Sequence, residues 1–381
     1  MRILQTYKVY PPDVHGGISE VMARVSQLRT LSHDVRILVA RDMGFSRQYL
    51  HEDTPVEAVA SLGQLMSMPI APTFPFALKR AARSCDVLAL HHPFPLNDLS
   101  MLLGIPDNVA VVLHWHSEIA GARGQLPFIE SMLRNTVERS DRIVVTNEAM
   151  IQASPFLSKV TEKCDVVPYG VDVDFWSTVN KDEETEIARI RAQHPHMIIS
   201  IGRLVPYKGY PVLLDAMQQV DADLVLIGEG SQGDALKAQA KRLGLGDRVH
   251  FKGYLSRAEM KLLLHAAQVF VLPSISEAEG FGIVQVEAMA SGLPVINTNL
   301  NTTVPLIARH EIEGLTVEVG NAQALASAIN RLLGDGALSA RLAANGRQRA
   351  QATYSNAAFL KGMQDVYQRA CDARRSSRPR A

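Results

Sequence analysis

The stretch of 23 residues from 274 to 296 constrains the fold more than any other part of the sequence. An apolar run at 269–272 precedes it and predicts a buried strand. A polar loop with two glycines follows, and residues 283–290 then predict a helix. The Gly-Leu-Pro sequence at 292–294 ends that helix, and Val295 begins the next strand. The stretch therefore predicts a strand–loop–helix–strand unit of an α/β protein.

The loop in this stretch has the composition of an anion-binding site. Gly280 and Gly282 allow the backbone to approach a ligand closely. The free N–H groups at the start of the helix favour an anion. Glu279 and Glu287 lie on either side, with seven residues between them. This arrangement suits a nucleotide diphosphate sugar, with the phosphates on the N–H groups, the ribose on one carboxylate and the sugar on the other. The alternative is an ordinary β-α-β unit with surface glutamates.

Length and composition set limits on the function. A chain of 381 residues corresponds to about two domains. The 39 basic and 39 acidic residues give no net charge that would attract nucleic acid or an anionic membrane. Three scattered cysteines do not indicate a disulfide framework or a metal knuckle. We find no signal peptide and no apolar run of membrane-spanning length, so the sequence predicts a cytoplasmic protein whose membrane contact is at most peripheral.

Both halves of the chain alternate apolar strands with helical patterns. Strands are predicted in the first half at 2–6, 34–40, 86–91, 109–114 and 142–146, and in the second half at 197–201, 224–227, 249–251 and 269–272. Helices are predicted between most of them, among these 18–31, and at 178–194, 322–333, 338–350 and 357–370. This alternation predicts parallel sheets with helices on both faces, in which ligands bind at the carboxyl ends of the strands.

A second candidate site follows the strand at 197–201. Arg203 and Lys208 lie five residues apart in a loop bounded by Gly202 and Gly209, and they offer two cations to a diphosphate. In isolation this spacing is common. The loop after the first strand carries Gly16 and Gly17 ahead of a predicted helix, which is a further loop-to-helix anion site or only a turn.

These motifs together resemble the retaining GT-B glycosyltransferases of family 4. The resemblance rests on Glu279-x7-Glu287 with Phe-Gly-Ile at 281–283 inside it, on Glu-Ala-Met-Ala-Ser-Gly-Leu-Pro-Val-Ile after it, and on the Gly-Arg…Lys-Gly loop at 202–209. It implies an α/β fold of the GT-B type, with two Rossmann-like domains facing a central cleft. It also implies transfer of a hexose from a nucleotide sugar with retention at the anomeric carbon.

The resemblance assigns roles to residues of the second half. Arg203 and Lys208 would stabilise the departing nucleoside diphosphate, Glu279 would hold the donor sugar and Glu287 the ribose. The backbone around Lys252, Gly253 and Tyr254 would contact the nucleotide base, and the loop at 280–283 the phosphates. The implied donor-binding set is Gly16, Gly17, Arg203, Lys208, Lys252, Gly253, Tyr254, Glu279, Gly280, Phe281, Gly282, Ile283 and Glu287.

In the first half the implied catalytic residue is His116, which follows a hydrophobic strand and precedes Ser117. His114 is the second choice, and Glu118 replaces the aspartate that many relatives carry. Structural roles are the alternative for both histidines. Acceptor contacts are expected from residues that follow strands or lie in a glycine-rich loop: His15, His91, His92, Ser117 and Arg123. Neither the His91–His92 pair nor the His114–His116 pair has a third ligand nearby, so no metal site is predicted.

The predicted domains are 1–175 for the acceptor and 176–355 for the nucleotide sugar, followed by a helix at 356–371 that crosses back to the first domain and a disordered basic tail at 372–381. No Asp-x-Asp motif follows a strand, so the reaction is predicted to need no metal and no other cofactor. The expected donor is GDP-mannose and the expected acceptor a lipid-linked polysaccharide intermediate at the cytoplasmic face of the membrane. The alternatives are a UDP-sugar or GDP-rhamnose transferase, a nonhydrolysing epimerase and a non-catalytic nucleotide-sugar sensor.

Overall fold

The structure is a computed structural model that describes residues 1–14, 17–65, 68–117 and 127–377. It contains two compact units. The first comprises Met1–Gly170 together with the C-terminal segment from Ala357, and the second comprises Val171–Asn356. The predicted boundary at 175/176 lies five residues beyond the observed change of unit after Gly170.

The first unit is built on an eight-stranded sheet with the order β10-β9-β8-β7-β1-β2-β4-β3. All its strand pairs are parallel except β3–β4, and β5 and β6 form a separate antiparallel pair. The strands are β1 Arg2–Tyr7, β2 Asp34–Ala40, β3 Arg47–His51, β4 Thr54–Val59, β5 Gln64–Leu65, β6 Met68–Pro69, β7 Val87–His92, β8 Ala110–Trp115, β9 Arg142–Val145 and β10 Cys164–Val166. The antiparallel β3–β4 hairpin has no counterpart among the predicted strands.

Helices cover both faces of this sheet, which explains why β7 and β8 are buried along their whole length. Up to residue 170 they are α1 Gly17–Ser26, α2 Phe74–Ala82, α3 Pro95–Leu102, α4 Pro127–Arg139 and α5 Glu148–Ala153, with 3-10 turns at Gln27–Leu31, Leu157–Lys159 and Thr161–Lys163. The helix predicted from Ile18 to Leu31 changes to a 3-10 turn after Ser26.

The second unit has a fully parallel six-stranded sheet with the order β13-β12-β11-β14-β15-β16. Its strands are β11 Met197–Ile201, β12 Asp223–Ile227, β13 Val249–Phe251, β14 Val269–Leu272, β15 Val295–Thr298 and β16 Gly314–Val317. In chain order this is 3-2-1-4-5-6, the order of the doubly wound Rossmann fold. The strand order therefore reverses between β11 and β14.

The helices of the second unit are α6 Val173–Ser177, α7 Lys181–Gln193, α8 Tyr210–Ala216, α9 Gly233–Arg242, α10 Arg257–Ala266, α11 Val284–Ala290, α12 Val304–Ile307, α13 Ala322–Gly334 and α14 Gly336–Tyr354, with 3-10 turns at Pro206–Lys208 and Met217–Gln219. Both α7 and α10 begin with a capping box, formed by Asn180 with Glu183 and by Ser256 with Glu259. These caps fix the helix starts at Lys181 and Arg257.

The last helix, α15, spans Asn356–Ser376. Its apolar face, with Phe359, Met363, Val366 and Tyr367, joins a buried cluster with the sheet of the first unit. The helix runs five residues past the predicted end at 371. This corrects the prediction of disorder for 372–377, since Arg374 pairs with Asp141 at 2.7 Å, whereas 378–381 of the predicted tail lie outside the described residues.

Among the described residues, none of the helices combines the length and the apolar composition needed to cross a membrane.

Candidate active site

In the second unit two loops meet where the strand order reverses. The loops at 202–209 and 273–282 follow β11 and β14, which are neighbours in the sheet. The amide of Ile275 donates to the carbonyl of Tyr207 at 2.8 Å and joins the two loops. Open parallel sheets bind their ligands at this place, outside the carboxyl ends of the strands. The chain thus brings together the two motifs that the sequence identifies separately.

Lys208 and Glu279 form an ion pair between these loops. Lys208 Nζ lies 2.6 Å from Glu279 Oε2, and each side chain is only 9% exposed. Ser274 Oγ also donates to Glu279 Oε2, at 3.0 Å. Among the described residues, no hydrogen bond or ion pair reaches the other carboxylate oxygen, Oε1. Glu279 is therefore held through one oxygen and offers the second to a ligand.

Glycine at position 209 makes this approach possible. Gly209 has a φ of +70°, and a Cβ there would lie 2.0 Å from the carbonyl oxygen of Pro273. Any other residue would push the loop at 202–209 away from the loop that carries Glu279. The glycine that follows Lys208 in the sequence motif therefore has a structural role of its own.

The loops after β11, β12 and β13 are joined by backbone hydrogen bonds. The amide of Leu204 donates to the carbonyl of Glu229 at 2.9 Å, and the amide of Gly228 donates to the carbonyl of Gly253 at 2.8 Å. The segment predicted to contact the nucleotide base, 252–254, is in this way fixed to the loop that carries Arg203. Its side chains are open to solvent, and Tyr254 is 83% exposed.

A buried amide network supports the Glu279 loop. Gln285 is fully buried in α11, and its Nε2 lies 3.4 Å from the carbonyls of Phe281 and Val304. Asn297, at the end of β15, donates to Gln285 Oε1 at 2.9 Å and also to the carbonyls of Val304 and Ala308 at 3.0 Å. Neither residue is among those predicted from the sequence. The available signal was an amide side chain inside an apolar run at each position.

Gly282 is the tightest point of this loop. Its φ is +69°, and a Cβ would lie 2.7 Å from Leu272 Cδ2 and 3.0 Å from Gln285 Nε2. Gly280 is exposed, and Phe281 is 8% exposed with its ring edge-on to Tyr354 at 6.1 Å. The loop therefore presents backbone rather than side chains near Gly280 and Gly282.

The remaining predicted donor residues of this unit also lie at this edge of the sheet. Arg203 is exposed, and its Nη2 donates to the hydroxyl of Tyr207 at 3.2 Å. Glu287 is half-buried in the first turn of α11, and Ile283 precedes that helix. α11 has only seven residues, so its dipole contributes less at this end than a long helix would.

The first unit contains a chain of hydrogen-bonded rings at the ends of β7 and β8. Tyr169 Oη lies 2.8 Å from His116 Nδ1, and His116 Nε2 lies 2.8 Å from His91 Nδ1. His91 Nε2 lies 3.1 Å from Gln5 Oε1. The rings of His91 and His116 stack with centroids 5.1 Å apart.

The direction of these hydrogen bonds follows from Gln5. Its Nε2 donates to the carbonyl of Met22 at 3.1 Å and to Ser26 Oγ at 2.9 Å, so its Oε1 must accept. His91 therefore donates from Nε2 and accepts at Nδ1, and His116 donates from Nε2 and accepts from Tyr169 at Nδ1. This assignment requires neutral rings. Burial provides them, because it lowers the pKa of His91 well below its usual value and the pKa of His116 to about 3.

Two further histidines are buried beside this chain. His114 Nε2 lies 3.0 Å from the hydroxyl of Tyr367 in α15, and the His92 ring stacks on Trp115 at 4.2 Å. Burial lowers the pKa of both histidines to about 3. His91 and His92 are 0% and 2% exposed. This corrects the prediction that they contact the acceptor directly, because strand residues directed into the core are not accessible to a substrate.

The role of His116 stays a prediction, and the structure adds a condition to it. Both ring nitrogens already have protein partners, so a sugar hydroxyl could bind Nδ1 only by replacing Tyr169. Ser117 is exposed. Gly17, at the start of α1, is exposed, and a Cβ there would have no atom within 4 Å. The predicted site residues His15, Gly16 and Arg123 lie outside the described residues.

In the part of the chain that the structure describes, one group of three potential ligands lies close enough together to hold a metal ion: His194, Asp223 and His250. Asp223 begins β12, so this group lies toward the amino ends of the strands and away from the Lys208–Glu279 pair. The absence of a catalytic metal stays a prediction.

Comparison with known proteins identifies the family. The profile "Glycosyltransferase Family 4" matches residues 15–175, and the profile "Glycosyl transferases group 1" matches residues 182–349. A D-rhamnosyltransferase of Pseudomonas aeruginosa is 30% identical over 334 residues, which are 83% of this chain and 82% of the relative. The chain belongs to the family 4 glycosyltransferases. The O-antigen chain mannosyltransferase C of Escherichia coli is 26% identical over 371 residues, 96% of this chain and 98% of that protein.

Solved structures show the fold of this family 4 glycosyltransferase. The Anabaena protein Alr3699/HepE, solved with UDP, superposes with a TM-score of 0.76 at 20% identity and covers 97% of this chain and all of its own. Sucrose-phosphate synthase from Thermosynechococcus elongatus gives a TM-score of 0.73 at 21% identity, covering 98% and 99%. These neighbours confirm the predicted GT-B fold, and the family profiles and the two curated relatives confirm the predicted hexosyltransferase class.

Proposed function

We propose that the enzyme transfers mannose from GDP-mannose to a saccharide acceptor, an intermediate in the synthesis of a lipid-linked polysaccharide, with retention of anomeric configuration. The observation that carries this proposal is the Lys208–Glu279 pair, held between two loops at the ligand-binding edge of the sheet. The sugar is inferred from the Escherichia coli mannosyltransferase, to which the chain is similar over 96% of its length. A D-rhamnosyltransferase is similar over 83%. GDP-rhamnose is therefore the second candidate donor.

The leaving group requires positive charge. Cleavage of the glycosidic bond to the nucleotide leaves a diphosphate, and preorganised cations stabilise the charge that develops on it. Lys208 is buried and fixed by Glu279, whereas the exposed guanidinium of Arg203 has a hydrogen bond only to Tyr207 among the described residues. We infer that Lys208 is a preorganised cation and that Arg203 closes on the diphosphate when the donor binds.

Glu279 is suited to hold a sugar hydroxyl. Its Oε2 is occupied by Lys208 and Ser274, and its Oε1 is the acceptor that a hydroxyl of the donor would use. A carboxylate near the anomeric carbon also favours the positive charge that develops on the sugar ring in glycosyl transfer. We assign the ribose to Glu287 and the base to the backbone of Lys252, Gly253 and Tyr254. No protein nucleophile is assigned.

The proposal includes metal independence. Lys208 and Arg203 supply the two positive charges that a divalent ion would otherwise bring to a diphosphate. We expect the rate with saturating donor to be unchanged by EDTA. A rate that falls in EDTA and returns with Mg²⁺ or Mn²⁺ would contradict this part of the proposal.

Contact of the first unit with a membrane surface is the remaining part of the proposal. Two adjoining segments, joined by the Gly44–Ser61 bridge, carry strongly exposed apolar side chains: Met43 at 65%, Phe45 at 90%, Leu62 at 77% and Leu65 at 66%. Such a patch on a protein that acts on lipid-linked saccharides suits peripheral insertion into a bilayer. Flotation with anionic vesicles should recover the wild type but lose Phe45→Ser/Leu62→Ser, and equal recovery of both would contradict the membrane contact.

The donor is tested with a panel of GDP-mannose, GDP-rhamnose and UDP-hexoses. Release of free nucleotide is measured with saccharide acceptors, and thermal protection by each donor is measured without acceptor. We expect turnover and protection with GDP-mannose. Both effects with a UDP-sugar and neither with GDP-mannose would show that the donor is wrong while the family stands. Proton NMR of the new linkage distinguishes retention from inversion.

The site is tested with a matched pair of glutamine variants. Glu279→Gln should lower kcat by about 100-fold or more, the cost of losing one group that stabilises the transition state. Glu277→Gln is the control, because Glu277 is exposed and lies two residues away in the same loop. Full activity of Glu279→Gln, or an equal loss in Glu277→Gln, would refute the assignment.

A further inference from the structure

The second unit carries a cluster of three metal-binding side chains that the transfer reaction does not use. His194 follows α7, Asp223 is the first residue of β12 and His250 is the middle residue of β13. Asp223 Oδ2 lies 2.6 Å from His194 Nδ1, and Asp223 Oδ1 lies 3.6 Å from His250 Nε2. One ligand atom from each residue falls within 4.8 Å of the other two. Because the residues are far apart in sequence, no spacing motif predicts this cluster.

Strand register explains why they converge. His250 pairs with Val225 of β12, and Asp223 lies two residues before Val225 on the same strand. Residues two apart on a strand point to the same face, so Asp223 and His250 are diagonal neighbours on one face of the sheet. The His194 ring approaches from the end of α7, with its centroid 4.7 Å from that of His250. Three separate elements thus place their side chains around one point.

We propose that His194, Asp223 and His250 bind a zinc ion that ties α7 and the edge strand β13 to the sheet. Two imidazole nitrogens and one carboxylate oxygen are a usual protein ligand set for Zn²⁺, with water completing the tetrahedron. A tetrahedral ion with bonds of about 2.0–2.1 Å needs ligand atoms about 3.4 Å apart. The observed separations of 2.6 and 3.6 Å involve the two different oxygens of Asp223, so its carboxylate must rotate to present one oxygen to the ion together with the two imidazole nitrogens.

The surroundings of the three side chains agree with this role. His194, Asp223 and His250 are 20%, 22% and 27% exposed, so an ion can enter and keep one water ligand. His250 Nε2 is itself buried and has no hydrogen-bond partner within the described chain.

This ion would take no part in the transfer reaction. Asp223 begins its strand, whereas the candidate donor loops leave the carboxyl ends of the strands. β13 is an edge strand of three residues, and the loop that follows it contains Lys252 and Gly253. Zinc would therefore stabilise the strand that carries the predicted base-contacting loop, and metal-free enzyme would keep the Lys208–Glu279 pair.

The proposal is tested by zinc binding to tag-free, EDTA-treated and dialysed protein. Isothermal titration with ZnSO₄ should give one ion per chain, and Co²⁺ should give the visible absorption bands of four-coordinate cobalt. Asp223→Asn and His250→Ala should each weaken zinc binding by more than about tenfold, since even the loss of a group outside the ligand shell costs about 10–100-fold. His196→Ala is the control, because His196 is an exposed histidine two residues from His194.

Stability provides a readout that does not depend on activity. Zinc should raise the thermal midpoint of the wild type and of His196→Ala, and leave that of Asp223→Asn unchanged. The midpoints in EDTA show whether each variant is folded without the ion. The absence of stoichiometric zinc binding would overturn the proposal. So would zinc binding that Asp223→Asn and His250→Ala leave unchanged.

Discussion

The Lys208–Glu279 ion pair yields the sharpest stability prediction. Each side chain is only 9% exposed, and the two charged atoms lie 2.6 Å apart. Glu279→Gln removes the negative charge and leaves the Lys208 ammonium in a poorly hydrated position. Breaking a buried pair by removing one partner costs about 3–5 kcal/mol, and the neutral amide keeps part of the polar contact. We therefore expect the second unit to lose about 3 kcal/mol.

A double-mutant cycle isolates the interaction. Lys208→Met alone leaves an unpaired carboxylate, whereas Lys208→Met with Glu279→Gln removes both charges. The double variant should be more stable than the sum of the single changes predicts, with a coupling of at least about 1 kcal/mol for residues in direct contact. The control cycle uses Glu277→Gln with Lys208→Met, because Glu277 is exposed and should show no coupling.

The chain offers a convenient reporter for this assay. It has two tryptophans, Trp115 in the first unit and Trp176 in the second, and both are buried. In a Trp115→Phe background, fluorescence during guanidinium unfolding follows the second unit alone, which matters because a protein of two units need not unfold in one step. A loss below about 0.5 kcal/mol in Glu279→Gln, or additive single effects, would refute the reasoning, since neither is compatible with a buried ion pair.

Four further predictions follow from the structure. Gly17→Ala should leave the thermal midpoint unchanged, because a Cβ at this position has no atom within 4 Å. A raised KM for the donor would then show that the donor contacts the backbone at Gly17, and an unchanged KM would remove Gly17 from the site. Burial lowers the pKa of His92 to about 3, so the unfolded state takes up a proton as the pH falls below about 6.5 and the free energy of unfolding decreases. His92→Phe should therefore gain about 2 kcal/mol of stability at pH 5 relative to pH 7.5 in calorimetry, and an equal effect at both pH values would contradict protonation of His92 as the cause. Burial raises the pKa of Asp98 to about 7, so the free energy of unfolding falls as the pH rises from about 4 to 7. Asp98→Asn should stabilise the protein by on the order of 4 kcal/mol at pH 8 and little at pH 4, which is the opposite pH dependence to that of His92→Phe. Ending the chain at residue 371 removes the ion pair between Arg374 and Asp141, whose side chains are 18% and 8% exposed, and should lower the thermal midpoint reported by Trp115 by several degrees. Arg375→Ala is the control, and a truncated protein with the same midpoint as this variant would show that residues 372–381 make no contribution to stability.

Most strands could be predicted because their signal is local. The strands at 197–201 and 269–272 have the predicted bounds, since a strand buried on both faces is a largely apolar run that neighbouring polar residues delimit. The β3–β4 hairpin was missed because β3 is half-exposed and lacks such a run. The tail prediction failed for a related reason. Arg374 is polar in sequence, but the helix brings it to Asp141, a partner 233 residues away.

The candidate donor site was accessible from the sequence because its residues are fixed by backbone chemistry. Gly209 and Gly282 are required by positive φ angles and close approach, and they keep Lys208 and Glu279 at constant spacing from their strands. The family and its fold follow from these motifs. That Lys208 and Glu279 pair with each other depends on the strand order, which no local pattern contains.

Side-chain partners across the fold were decided only by the tertiary structure. From the sequence, His91 and His116 were predicted to contact substrate at the ends of their strands. The packing of β7 against β8 instead buries His91 and places the two rings in one hydrogen-bonded chain, in which Gln5 fixes their tautomers. The convergence of His194, Asp223 and His250 likewise results from strand register and the direction of α7. Periodicity and turn chemistry act over a few residues and can be read from the chain, whereas burial, charge pairing and protonation depend on residues that meet only after folding.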